Sequence, residues 1–197
     1  MMMNYDNQTL KAMEFFLSFD QGKMTEALKL DSDELFIYVK FIDRIYAVKR
    51  DSGRIIVDGE EATCDEIMSI LDIICSNMTI PDSVSKAEWA SLSQIGGASA
   101  RVNMGAIAKR LDPFEGDTLA MAKACENIGG RVRKGGDVSY VISVYEGIPC
   151  WLQYWEADDE YPASLNFLFD KDVLKYVHWA TLENIMNAVC DRLASMA

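Results

Sequence analysis

The sequence predicts an α+β fold in which antiparallel sheets are covered by helices, built from two pseudo-repeated αβββα halves. Alternating apolar runs at residues 35–41 and 138–145 are each followed by a tight turn and further strand-like segments. Apolar residues at helical spacing bracket both groups of strands. The halves also align. Phe36-Ile37 falls on Tyr140-Val141, and Ala62-Thr63 and Ile67-Met68 fall at a larger offset on Ala180-Thr181 and Ile185-Met186. The second half is therefore longer between its second strand and its last helix. A meander flanked by helices must bury one sheet face against them, which is the antiparallel solution.

In the first half, residues 6–19 read as a helix, with Asp6 or Asn7 as cap and Leu10, Met13, Phe16 and Leu17 as its stripe. Gly22 is expected to stop it, with a further helical turn at 23–28. Along 35–41, Leu35, Ile37, Val39 and Phe41 share one face and Phe36, Tyr38 and Lys40 the other. Asp43-Arg44 turns the chain into 45–49, and Asp51-Ser52-Gly53 into 54–57, giving a three-stranded meander. Thr63 with Glu66 three residues on is a capping-box pattern, opening a helix to Cys75 with the stripe Ile67, Ile70, Leu71 and Ile74.

The domain reading is 1–78 for the first half, 79–117 for a structured connector with one helix, and 118–197 for the second half, the three expected to form one compact unit. The connector holds Pro81, Trp89, the small-residue run 95–100 and Pro113. A helix at 118–128 ends at Gly129-Gly130. Strands follow at 138–145, 149–155 and 165–169, and a last helix at 181–193. The basic cluster Arg131-Val132-Arg133-Lys134 reads as a solvated loop between helix and strand.

Bulk properties exclude several classes. The 197 residues suffice for one domain with a real core, and 50% apolar content is too high for disorder. No apolar run approaches the roughly 20 residues of a membrane helix, and the first residues lack a signal-peptide pattern, so the expected location is cytoplasmic, without membrane contact. A net charge of −12 opposes binding to phosphate backbones, so no nucleic-acid partner is expected. Five scattered cysteines (Cys64, Cys75, Cys125, Cys150 and Cys190) and a single histidine, His178, offer no zinc or iron–sulfur ligand spacing. No nucleotide-binding glycine motif, nucleophile elbow or cysteine–base pair is present, and no catalytic residue is assigned.

One stretch carries chemistry. In 151–155, Trp151, Gln153 and Trp155 share a face, and Glu156-Ala157-Asp158-Asp159-Glu160 then sets four carboxylates in five residues before Tyr161-Pro162. Carboxylates this dense stay in water and discourage edge-to-edge aggregation, or they share a proton or a cation. Glu156, Asp158 and Glu160 alternate and are the metal ligands if a hard divalent cation binds; otherwise no cofactor is expected. Trp155, Glu156, Asp158, Asp159, Glu160, Tyr161 and, one strand away, Asp170 form the candidate binding site. In the alignment of the halves this turn is the extra piece, where the first half has only Asp51-Ser52-Gly53.

The segments Phe114-Glu115-Gly116-Asp117, Ile128-Gly129-Gly130, Gly136-Asp137, 155–162 and Leu168-Phe169-Asp170 resemble the pattern of a prokaryotic domain-of-unknown-function family, DUF3786, with Trp-x-x-Asp-x-Glu-aromatic-Pro at its centre. The resemblance spans nearly the whole chain and implies no established activity. Some members carry a cysteine-rich iron–sulfur segment, implying redox work; this chain has none and carries Val177-His178-Trp179 before the last helix. The expectation is thus a non-catalytic binding or accessory protein presenting 155–162 to a protein partner or small ligand. The alternatives are a metal- or carboxylate-dependent enzyme acting on a small molecule, and a chaperone-like adaptor.

Overall fold

A computed structural model describes residues 7–76, 87–96 and 102–197. The first half runs α1 (Asn7–Leu17), α2 (Gln21–Leu28), β1 (Phe36–Phe41), β2 (Arg44–Lys49), β3 (Ile55–Val57), β4 (Glu60–Glu61) and α3 (Cys64–Cys75). Then come β5 (Trp89–Ser91), α4 (Leu92–Gly96), α5 (Met104–Ala108) and a 3-10 segment, Lys109–Phe114. The remainder is α6 (Thr118–Asn127), β6 (Arg131–Val132), β7 (Val138–Tyr145), β8 (Ile148–Trp155), β9 (Ser164–Asp170), a 3-10 turn and α7 (Trp179–Ala194). The strands make two antiparallel sheets, ordered β1-β2-β3-β4 and β5-β9-β8-β7-β6. The fold is α+β.

Local chemistry explains most of these elements. Ile37, Val39 and Phe41 are fully buried on one face of β1, as the alternation predicts, while Leu35 lies outside the strand and is exposed. Thr63 and Glu66 form the capping box of α3: the Glu66 amide bonds back to Thr63 Oγ1, and Glu66 Oε2 accepts from the Thr63 amide at 2.7 Å. The stripe of α3 is buried as expected, but so are Glu66, Ser69 and Ile73, so this helix is enclosed on more than one side. In α7, Leu182, Ile185, Met186, Val189 and Leu193 are all buried, and α3 packs against it. Both helices and the inner faces of both sheets share one continuous core.

Several expectations are corrected. Helix α2 runs through Gly22, because Asp20 caps it by accepting from the Lys23 amide. The buried face of α1 is Thr9, Met13 and Phe16; Leu10 and Leu17 are exposed, and a cap at Asp6 lies outside the described residues. The first meander has a fourth strand, β4, formed because Asp58-Gly59 takes the positive φ values of a hairpin turn. Among its described residues the connector holds two short helices, a 3-10 segment and a strand, and that strand completes the edge of the second sheet beside β9; Pro81 and residues 97–100 lie outside the described residues. Arg131-Val132 is not loop but edge strand β6, paired to Val141 and Tyr140. With β4, β5 and β6 added, neither half is a plain αβββα unit. Among the described residues, no helix is long and apolar enough to cross a membrane.

Candidate functional site

The acidic turn leaves β8 where Trp155 pairs with Ser164 of β9. It is ordered by its own acids. Asp158 Oδ1 accepts from the amides of Glu160 and Tyr161 at 2.9 and 2.7 Å, and the Asp158 amide donates to the Tyr161 carbonyl. Asp137, from the preceding hairpin, accepts the Glu156 amide at 2.9 Å and donates its own amide to the Tyr154 carbonyl. Two aspartates are thus spent on backbone, while Asp159, Glu160 and Tyr161 face solvent and Trp155 is 37% exposed. Beneath the turn, burial raises the Tyr154 phenol, with the Glu156 charge adding to the effect.

Of the predicted site residues, Trp155, Glu156, Asp158, Asp159, Glu160 and Tyr161 lie together on this turn. Asp170 does not join them: it is at the far end of β9, opposite Trp89, where its Oδ1 accepts from the Asp172 amide. Asp170-Lys171-Asp172 is a turn, and Lys171 pairs with Glu88. Among the described residues, no group of three or more His, Cys, Asp or Glu side chains is placed to hold a metal ion, so Glu156, Asp158 and Glu160 are not brought together as ligands.

Beside the turn lies a feature missed in the sequence. Register puts Trp151, Gln153 and Trp155 of β8 on the face of the second sheet opposite the buried Cys150, Leu152 and Tyr154. Gln153 accepts from Asn166 of β9 at 3.2 Å, and Trp151 Nε1 donates to Ser139 of β7 at 2.9 Å. Trp151 meets Trp89 edge to face, ring centres 5.7 Å apart, and the Arg133 guanidinium sits 4.4 Å from the Trp151 ring and 5.6 Å from that of Trp89. Glycine lets the loop after Arg133 approach: a Cβ at Gly135 would lie 2.6 Å from Gln153 Nε2, and one at Gly136 2.6 Å from the Tyr154 carbonyl oxygen. The signals were the alternating Trp151, Gln153 and Trp155 and the glycine pairs around the basic cluster; what hid the site was Trp89, far away in the chain.

Other candidates have structural work. The exposed His178 caps α7, its Nδ1 accepting from the Ala180 amide, and its own amide donates to Asp72. Cys75, Cys125, Cys150 and Cys190 are buried thiols, and burial pushes Cys75 and Cys125 up to about 12. Glu66 Oε1 accepts from Tyr46 and Arg44 at 2.6 and 2.5 Å inside the first half.

No curated protein and no solved structure matches the chain. The family model described as "Domain of unknown function (DUF3786)" matches residues 20–192, a span that includes both sheets, the acidic turn and most of α7. The chain belongs to the DUF3786 family.

Proposed function

We propose that the protein is a non-catalytic binding or accessory module that presents residues 155–162 to a protein partner or small cationic ligand. One observation carries the reading: Asp158 and Asp137 fix the turn's backbone, so Glu160, Asp159 and the Tyr161 ring project from a pre-ordered loop. A pre-ordered loop loses little conformational freedom on binding, and carboxylates beside exposed aromatic rings suit a lysine- or arginine-bearing segment. Supporting it further, burial pushes the Cys75, Cys125, Cys150 and Cys190 thiols up, and His178 serves as the cap of α7.

The test replaces the acids that do not hold the loop. In the double variant D159K/E160K, binding of a lysine- and arginine-rich peptide, followed by calorimetry, should fall at least tenfold while the thermal midpoint stays near that of the parent. Equal binding by parent and variant would overturn the proposal. Titration with magnesium, manganese, calcium and zinc addresses the metal-dependent reading of Glu156, Asp158 and Glu160, which a thermal shift with any one of them would revive.

A further inference from the structure

We infer that Arg133, held on Trp151 and Trp89, is a carboxylate-binding site on the outer face of the five-stranded sheet. The ligand is opposite in charge to the cationic one proposed for the acidic turn, and the site does not depend on that turn. Its first support is electrostatic. The chain has 31 acidic and 19 basic side chains, so an arginine has many possible partners. Arg44, Arg54, Arg110 and Arg192 pair with carboxylates, and Arg50 donates to Asp33 and Gln21. The guanidinium of Arg133 has, among the described residues, only the two indole faces.

Geometry supplies the second support. The guanidinium carbon lies over the Trp151 ring while Arg133 stays exposed, so its N–H groups are accessible to a carboxylate, which a guanidinium grips through two parallel hydrogen bonds. The platform is fixed before any ligand arrives. Trp151 is tied to Ser139, Trp89 is carried by β5 against β9, and the Arg133 amide donates to the Ser139 carbonyl at 3.0 Å. Gly135 brings the loop onto Gln153 and Trp151, where a Cβ would have to displace the end of the Gln153 side chain. Arginine immobilised in this way loses little side-chain entropy when it binds. The overall charge of −12 does not forbid an anion here, since at physiological salt fields are screened beyond about 8 Å and the adjacent Arg131 and Lys134 are basic.

The ligand chemistry is a carboxylate, from either a small organic acid or an acidic peptide side chain. The experiment titrates the full chain with succinate, with an acetylated and amidated Glu-Glu dipeptide, and with inorganic phosphate. The indole N–H signals of the four tryptophans serve as readout by NMR. At millimolar carboxylate the Trp151 and Trp89 signals should shift saturably while Trp179, on α7, stays still. R133A should weaken binding at least tenfold, and R133K should fall nearly as far because an ammonium cannot offer the two-pronged edge. An unmoved Trp179 signal in each variant confirms that it is folded. Preference for the dipeptide assigns the site to acidic segments, and preference for succinate to small acids. Three results would overturn the inference: no saturable shift with either carboxylate, binding by R133A equal to the parent, or phosphate binding as tightly as both. The first would leave Arg133 as a cover for two indoles.

Discussion

Glu66 shows how far one residue can be read from its neighbours in sequence. Its capping box with Thr63 was legible, because both partners lie within one turn of helix and the pattern is local. Its other bonds, to Tyr46 and Arg44, cross from helix to strand, and no spacing rule predicts them. They decide the energetics. In E66A the Arg44 and Tyr46 donors lose their acceptor in a buried site, which should cost about 3–5 kcal/mol in urea unfolding, against about 1 kcal/mol for T63A. The buried thiols add a dependence on pH. Burial raises Cys75 and Cys125 from 9.0 to about 12, so the folded chain keeps protons that the unfolded chain releases. Their stabilisation is whole below pH 9.0 and declines as pH climbs toward 12. Under reducing conditions, unfolding free energy at pH 10 should be lower than at pH 7 by roughly 1 kcal/mol per thiol.

At the scale of elements, periodicity carried the long strands and failed on the short ones. The strands β1, β7, β8 and β9 alternate over enough residues to betray a buried face. Two-residue strands such as β4 and β6 have no period at all; they exist because a turn delivers them to a sheet edge. The Asp58-Gly59 turn was a usable signal for β4, whereas Arg131-Val132 looked like loop because it is charged and exposed, as sheet edges usually are. The hairpin from β6 to β7 is the element on which the candidate sites meet, since it carries both Arg133 and Asp137. Alanine replacements there should separate two kinds of crowding. At Gly135 the new methyl meets the end of the Gln153 side chain, which can move, whereas at Gly136 it meets the carbonyl of Tyr154, which cannot. Both residues also have positive φ. G136A should therefore lose more stability than G135A, by about 1–3 kcal/mol in thermal or urea unfolding.

The molecule as a whole tests whether residues 1–78 and 118–197 are two domains or one. Internal alignment suggested halves, and the chain does place a meander and a closing helix in each. The closing helices, however, are buried against each other. The Thr181 hydroxyl of α7 donates to Asp72 of α3 at 2.6 Å, and Asn187 donates to Asp65. Arg192 makes a two-pronged pair with Asp43 in the turn between β1 and β2, and Arg110 joins Asp65 to Asp191. Separating the halves would remove the bonds that Thr181, Asn187 and Arg192 make across them while exposing α3 and α7. Cooperative unfolding of the entire chain is the expected result. The placement of the tryptophans makes this measurable: Trp89, Trp151, Trp155 and Trp179 all lie beyond the first half, whereas α1, α2 and α3 contribute to the helical circular dichroism. Urea midpoints from tryptophan fluorescence and from circular dichroism should coincide, and a fragment of residues 1–78 should show no cooperative transition. Separate midpoints, or a fragment that melts sharply on its own, would instead make the first half an independent domain docked through its last helix.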